Sequence, residues 1–372
     1  MGTVKRTKKE GMGGLRVIIA GGGTGGHLFP GIAVGREILK RDRSAEILFV
    51  TAGRKIESHI LADAGFEQVT IRVQGMKGRG WRNAVKAMLI LPCGLIQSLY
   101  TIKKFSPSLV LGVGGYSSGP VCLAAWLMRI PGAIHEQNSF PGLTNRLLCR
   151  IVDKVFISFE ESREHFSSGA LFLTGNPIRK EFVYAKEGHG KIEKRFTILV
   201  TGGSQGATAI NSAFLGALEI LRDRGKDLLV IHHTGERDFD RVVREYEKRG
   251  LRGDIMPFIQ DMNEACVRAD IFVGRAGAGT VFELAALGKP SVLIPYPHAA
   301  NRHQESNARV LVKAGGAEMF LEDNLSPLGL ADLLMRYMED RDALKNMGER
   351  ARTVARPDAA RVIVDQLEDM VL

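Results

Sequence analysis

Short apolar runs broken by glycine turns recur along the whole chain. Arg16 to Ala20 (RVIIA), Ile47 to Thr51, Val69 to Val73, Leu109 to Val113, Val155 to Ser158 and Leu171 to Thr174 have the length and β-branched content of buried strands. Helical spacing of apolar residues fills the gaps, at about Pro30 to Lys40, Ser58 to Ala64 and Val121 to Arg129. Ala133 to Asn138 reads as a strand end and its loop. The pattern then restarts. Thr197 to Thr201, Leu228 to His232, Ile255 to Phe258, Ile271 to Val273 and Ser291 to Ile294 predict strands; Asn211 to Leu221, Asp238 to Arg249, Leu328 to Met338 and Ala359 to Val371 predict helices. Such alternation predicts parallel sheets with helices on both faces. A glycine loop follows the first strand of each run, so the expected class is α/β with two such domains in tandem. Gly175 to Lys194, which opens on Asn-Pro and is rich in glycine and charge, is the expected link. Ligands of open α/β sheets sit at the carboxyl ends of the strands, so two domains facing each other there would form a cleft.

The stretch Ala269 to Pro297 condenses this logic into one unit: an apolar strand, a loop with Gly274, Gly277 and Gly279, a helix carrying Val281, Leu284 and Ala285, a stop at Gly288 and Pro290, and a second strand. Such a loop presents free backbone N–H groups at the positive end of a helix, a ready site for a diphosphate. Glu283, about one turn in, could accept hydrogen bonds from ribose hydroxyls. The competing reading is a capping box, Thr280-x-x-Glu283, with nothing bound.

Composition narrows the class. The chain has 372 residues, enough for two ordinary domains, and its 45% hydrophobic and 25% charged content is that of a globular protein. No apolar run is long and clean enough to span a bilayer. No signal peptide is expected: residues 1–14 read as a disordered basic tail, with Met12 a second candidate start. Cys93, Cys122, Cys149 and Cys266 lack metal or redox spacing and read as reduced core cysteines of a cytosolic protein. The net charge of +10 admits nucleic acid, an anionic membrane or anionic substrates as partners. With no nucleic-acid motif and no aromatics interleaved with the cations, nucleic acid is the weakest of the three.

Gly75 to Phe105 mixes cations (Lys77, Arg79, Arg82, Lys86, Lys103, Lys104) with an apolar face of Trp81, Val85, Met88 and Leu89. It reads either as an interfacial membrane patch or as a core helix with a solvated basic face, and the pattern alone favours the second. Gly21 to His27 lacks the G-x-G-x-x-G register, and Thr51 to Arg54 stand where a ribose-binding acid would end the second strand, which argues against a nicotinamide cofactor. No P-loop spelling occurs. Asp238-x-Asp240 and Asp340-x-Asp342 lie in charged helical segments and read as solvated faces, and no cluster has metal-ligand spacing; no metal or cofactor is expected. His27, at a helix start, is either a capping residue or a general base, since an unperturbed histidine titrates near working pH.

Several motifs occur together and in one order: Gly21-Gly22-Gly23-Thr24-Gly25-Gly26-His27, Gly112 to Pro120 (GVGGYSSGP), His135-Glu136-Gln137-Asn138, Gly175 to Arg179 (GNPIR), Gly202 to Ala207 (GGSQGA), the Arg275 to Glu283 loop, and Arg302-His303-Gln304. As a set they are specific, and from about Leu15 to its C-terminus the chain resembles the MurG family of glycosyltransferases. The resemblance implies a GT-B fold: two Rossmann-like parallel-sheet domains facing across a cleft, residues 15–176 on the acceptor and membrane side, 177–356 on the donor side, and a last helix within 357–372 crossing back. It implies inverting transfer of N-acetylglucosamine from UDP-N-acetylglucosamine to the muramyl C4 hydroxyl of lipid I, making lipid II for peptidoglycan, by a peripheral protein on the cytoplasmic face of a bacterial inner membrane.

The roles it implies fall as follows. Thr24, Gly25, Gly26 and Asn138 meet the donor from the first domain; Arg179, Ser204 and Gln304 meet it from the second. Ile259 contacts uracil through its backbone. Ala278, Gly279, Thr280, Val281, Phe282 and Glu283 hold ribose and diphosphate. Tyr116 and His135 lie on the acceptor side with Glu136, and His27 or Glu136 is the base, His27 preferred. Trp81 to Leu95 and Trp126 correspond to the family's membrane patch, which shifts the weighing of that segment toward an anionic membrane surface. The family loop usually reads SGALTVSE; this chain reads AGAGTVFE, so Ala276, Gly279 and Phe282 depart from it. The alternatives are another GT-B lipid glycosyltransferase and a non-catalytic sugar-nucleotide-binding module.

Overall fold

A computed structural model of the chain describes residues 14–23, 25–73, 80–167, 170–183, 195–203 and 205–371, with the side chains of 80–91 outside that description. The basic tail 1–13 and most of the expected link, 184–194, also lie outside it.

The first half holds strands β1 (Arg16–Ala20), β2 (Glu46–Thr51), β3 (Glu67–Thr70), β4 (Leu109–Gly112), β5 (Gly132–Glu136), β6 (Lys154–Ile157) and β7 (Leu171–Leu173). They form one parallel sheet in the order β3-β2-β1-β4-β5-β6-β7. Around it lie α1 (Gly25–Arg41), α2 (Lys55–Ala64), α3 (Gly80–Phe105), α4 (Ser118–Leu127) and α5 (Leu143–Leu148). The second half holds β8 (Phe196–Thr201), β9 (Leu228–His233), β10 (Asp254–Met256), β11 (Ile271–Gly274), β12 (Ser291–Leu293) and β13 (Ala317–Met319), parallel in the order β10-β9-β8-β11-β12-β13. Its helices are α6 (Lys180–Val183), α7 (Thr208–Asp223), α8 (Phe239–Lys248), α9 (Met262–Arg268), α10 (Ala278–Leu287), α11 (His303–Lys313), α12 (Pro327–Glu339), α13 (Arg341–Arg352) and α14 (Ala359–Glu368).

The inner strands read as mostly apolar runs because both sheet faces are covered there. In β1, Val17 and Ile19 enter a core with Leu28 and Ile32 of α1, while Ile18 and Ala20 enter the opposite core with Val121 and Ala124 of α4. The second sheet repeats the division: Ile198 and Val200 pack with α7 and α12, and Leu199 packs with α10. Three cysteines, Cys122, Cys149 and Cys266, are buried, Cys93 is partly so, and all are free. Burial pushes the Cys122 and Cys266 thiols up to about 12, which leaves them unreactive.

Two crossings join the halves. Ile178 and Phe182 pack in the second core, on the face of α10. The chain returns at α14, whose Ile363, Val364 and Leu367 join the core under α1. Arg41 of α1 pairs with Asp365 at 2.8 Å and Glu368 at 3.0 Å. The two crossings touch at Gly175. Its φ is +81°, and a Cβ there would lie 2.2 Å from Cβ of Arg356, so only glycine fits without displacement.

Candidate active site

In each sheet the strand order reverses at one place, between β1 and β4 in the first and between β8 and β11 in the second. A crevice opens at the carboxyl ends of such a pair. All four glycine loops leave these strands: Gly21 to His27 after β1, Val113 to Pro120 after β4, Gly202 to Ala207 after β8, and Gly274 to Gly279 after β11. In the first crevice the two loops stack backbone on backbone. Gly115 has φ +82°, and a Cβ there would lie 2.2 Å from the carbonyl oxygen of Gly22. Glu57, buried on α2, accepts from the Gly23 N–H and, at 2.9 Å, from the Arg54 N–H. Arg54 donates to the Gly23 carbonyl at 2.8 Å and stands over the half-exposed ring of Tyr116. Arg54, where a dinucleotide-binding fold would carry its acid, therefore ties the loop instead. Gly25 and Gly26 open α1; Thr24 lies outside the described residues.

His27 sits in the first turn of α1, partly exposed. Its Nδ1 is 2.9 Å from Oε1 of Gln137. The Gln137 amide nitrogen donates to the Val113 carbonyl at 2.8 Å and lies 3.0 Å from Nδ1 of His135. His135 is fully buried, with Nε2 3.2 Å from the Gly175 carbonyl and 3.1 Å from Oγ of Ser158. Burial holds His135 far below the usual imidazole range, at about 4, and the nearby His27 pushes the same way. Both His135 nitrogens are thus engaged by protein, and its part in the site runs through Gln137 and the Gly175 crossing. Glu136 is also buried. Its Oε1 accepts from the backbone and side chain of Asn138 at 3.0 and 3.2 Å, and its Oε2 from Gly142 N–H at 3.1 Å and Asn145 Nδ2 at 2.9 Å. Four donors on one carboxylate make it the organiser of the loop that carries Asn138.

That loop meets the second half through Asn307 of α11, a residue with no exposed surface. Asn307 Oδ1 accepts from the Ser139 N–H at 2.9 Å, and its Nδ2 donates to Oδ1 of Asn138 at 3.2 Å and to the Ala276 carbonyl at 3.4 Å. One buried amide therefore ties the Asn138 loop to the glycine loop after β11.

In the second crevice the N-cap of α10 is Gly277, with extended backbone, so Thr280 lies inside the helix and the Thr280–Glu283 capping box does not form. Ala278, Val281 and Phe282 are buried, while Gly279, Thr280 and Glu283 are partly exposed. Phe282 packs on Phe159, which follows β6, with ring centroids 4.8 Å apart. Val281 and Phe282 thus face the core, leaving only their backbone to a ligand. Glu283 forms a two-pronged pair with Arg179, Nε to Oε1 at 2.8 Å and Nη2 to Oε2 at 3.1 Å. Burial raises the Glu283 carboxyl above the usual carboxylate range, against the pull of Arg179. The Arg179 guanidinium also lies 4.6 Å from the Phe182 ring and 5.4 Å from the Phe29 ring of α1. It bridges the helices that start in the two crevices. Ile259 is buried in the loop after β10. Gln304, in the first turn of α11, accepts from the Tyr296 N–H at 2.9 Å. Ser204 lies outside the described residues.

Of the Asp-x-Asp expectations one changes: Asp238 is buried rather than solvated, accepting from Asn211 Nδ2 at 2.7 Å and pairing with Arg241. Asp340 and Asp342 are exposed, as expected, and Asp340 also caps α13 by accepting from the Ala343 N–H at 2.8 Å. Gly80 to Phe105 forms one helix; the side chains of Trp81, Val85, Met88 and Leu89 lie outside the described residues. Further along α3, Ile96 and Tyr100 are about two-thirds exposed, at 67% and 68%, next to exposed Lys103 and Lys104. Trp126 on α4 is half exposed, as are Leu143 and Leu147 on α5. Among the described residues no helix is long and apolar enough to cross a membrane. Sequence reading did not single out Glu57 or Asn307, and gave Gln137 no role of its own; each acts through a partner distant in the chain.

The model of the glycosyltransferase family 28 N-terminal domain matches residues 17–157, and that of the family's C-terminal domain matches 197–363. The UDP-N-acetylglucosamine–N-acetylmuramyl-(pentapeptide) pyrophosphoryl-undecaprenol N-acetylglucosamine transferase of Syntrophus aciditrophicus is 46% identical over 357 residues, 96% of this chain and 99% of that protein. The enzyme of the same name from Trichlorobacter lovleyi is 44% identical over 371 residues, 95% of this chain and 97% of that one. The crystal structure of Acinetobacter baumannii MurG superposes with a TM-score of 0.78 at 29% identity, covering 95% of this chain and 99% of that chain. The two family models together match most of the chain, and with them the chain belongs to glycosyltransferase family 28, in the GT-B fold.

Proposed function

We propose that this chain is the hexosyltransferase that moves N-acetylglucosamine from UDP-N-acetylglucosamine to the muramyl C4 hydroxyl of lipid I, forming lipid II in peptidoglycan synthesis. The carrying observation is the meeting of two switch-point crevices across one cleft, bridged by Arg179 and Asn307. Relatives of this name align along nearly the whole chain. The donor lies between the halves. Gly25, Gly26 and Asn138 face it from the first, with Thr24. Arg179, Ile259, Gln304 and the loop 278–283 face it from the second, with Ser204. Residues 15–176 with the returning 357–372 form the acceptor half, and 177–356 the donor half.

In the reaction the acceptor oxygen attacks C1 of the sugar from the face opposite the diphosphate. The C1–O bond to UDP breaks and its electron pair leaves on the diphosphate. The hydroxyl proton passes to His27. The α10 N-terminus, with free N–H groups and a positive dipole end, and Arg179 stabilise the charge on the departing UDP. Glu283 accepts from ribose hydroxyls, and Tyr116 lines the acceptor side. Glu136, whose four acceptor positions are in use, orders the Asn138 loop rather than taking the proton. Radiolabelled UDP-N-acetylglucosamine offered with a lipid I analogue tests the reading: label in the lipid fraction is expected, and a well-folded sample that binds UDP without transferring label overturns it. His27→Ala with turnover near wild type would remove His27 as base.

The acceptor is a lipid, and we place α3, α4 and α5 against the anionic cytoplasmic face of the membrane. Ile96, Tyr100, Trp126 and Leu147 give an apolar surface beside Lys103 and Lys104, a pairing suited to interfacial binding. Flotation with anionic vesicles tests it: Ile96→Glu with Tyr100→Glu should leave the protein in the dense fraction, and unchanged flotation counts against this surface.

A further inference from the structure

We infer that Gln137 is a positioning residue that fixes the tautomer of His27, keeping its Nε2 lone pair free to take the acceptor proton; this rests on the reading of His27 as the base. The direction of the Gln137 amide is set by two independent neighbours. Its nitrogen lies 2.8 Å from the Val113 carbonyl, which only accepts. The same nitrogen lies 3.0 Å from Nδ1 of His135. His135 Nε2 faces the Gly175 carbonyl, so its proton sits on Nε2 and Nδ1 is an acceptor too. The amide NH2 must therefore point to Val113 and His135, and Oε1 to His27. An amide oxygen opposite Nδ1 at 2.9 Å requires a proton there. In neutral His27 the lone pair is then on Nε2, the nitrogen not engaged by Gln137.

A carboxylate in this place would hold the same tautomer but also stabilise the imidazolium. A neutral amide orients the base without adding a charge beside it. Gln137 is almost wholly buried, and the chain of bonds from His27 to Gln137, His135 and the Gly175 carbonyl ends at the crossing between the halves. The geometry thus ties the protonation pattern of the base to the crossing at Gly175.

The test reads the tautomer without relying on turnover. Nitrogen-15 NMR of protein labelled at histidine, with the His27 signals assigned by their loss in His27→Ala, should show His27 protonated on Nδ1 and bare on Nε2. Gln137→Leu should populate the other tautomer and lower kcat about tenfold with the donor KM unchanged, the scale of one lost hydrogen bond. Gln137→Glu, which keeps an acceptor opposite Nδ1 but adds a charge, should keep the proton on Nδ1 and raise the imidazolium fraction of His27 above that of the wild type. Nε2-protonated His27 in the wild-type protein overturns the inference whatever the variants do, and so does an unchanged tautomer in Gln137→Leu. Full transfer by His27→Ala with the Nδ1–H tautomer present in wild type would instead sink the base assignment, so the two failures are distinct.

Discussion

Arg179 and Glu283 close on each other across the entrance to the second crevice, through two hydrogen bonds of 2.8 and 3.1 Å. Under the proposed function both serve the donor, the first at its diphosphate and the second at its ribose, and entry of the donor is expected to open the pair. Each residue then trades one charged partner for another. Glu283→Ala and Arg179→Ala should each raise the donor KM about ten- to hundredfold, the range for a hydrogen bond to a charged group. The double variant should lose less than the product, because each single change also leaves the other group unpaired. Steady-state kinetics on the four proteins measure this; strict additivity would show that the pair does not open.

Phe282 stands where the family loop carries serine, and its ring packs on Phe159 from the other half with centroids 4.8 Å apart. It is buried and belongs to the second core. Phe282→Ala should therefore lower stability by about 3 kcal/mol, as large-to-small changes in cores do. The urea midpoint reports it. A loss under half that size would mean the contact contributes little to holding the halves together.

Asn307 supplies a polar counterpart. Asn307→Ala leaves the buried Ser139 N–H without its acceptor, at a cost of about 1–3 kcal/mol. It also unties Asn138 from the loop after β11. Donor KM should rise with the loss of stability, and Asn307→Asp, which keeps the acceptor for Ser139, should recover part of the stability. A variant with wild-type denaturation and wild-type KM would remove Asn307 from the interface.

The inner strands were legible because both sheet faces are covered, so that Ile18 and Ile19, on opposite faces, are both buried. The edges were less so: β3 (EQVT) is largely exposed and lies at Glu67–Thr70 rather than Val69 to Val73, and β13 (AEM) was not expected. The glycine loops were legible because each follows a strand directly. α11 was not: its sequence HQESNARVLVK is mostly polar, and it is entered through Asn301 and Arg302 at φ +55° and +53°, without the glycine that would mark such a turn. The spelling Thr280-x-x-Glu283 suggested a local cap, but Glu283 found Arg179, 104 residues earlier. Asn307 and Ser139 are 168 residues apart, and Glu57 and Gly23 are 34 apart. No spacing rule reaches such pairs; they exist only once two sheets have brought four loops to one cleft.

The buried histidines set how the fold responds to acid. His232 lies in the second core, with Nε2 3.1 Å from Asn211 Oδ1 and Nδ1 3.1 Å from the Tyr246 hydroxyl. Burial, aided by the neighbouring His233, lowers its pKa to about 3. Between that value and about 6.5, the ordinary histidine value, the unfolded chain binds a proton that the folded chain refuses. Stability from this group is complete above the upper limit and falls as the pH drops toward the lower one, by about 1.4 kcal/mol per pH unit. His135, held at about 4, adds the same slope over the upper part of that range. Urea denaturation at a series of pH values from neutral down to the onset of acid unfolding should show this loss in the wild type. His232→Gln, which cannot titrate, should flatten the slope by one proton's worth while leaving the His135 contribution in place. Parallel curves for the two proteins would mean that His232 is already protonated in the folded state or escapes burial before global unfolding.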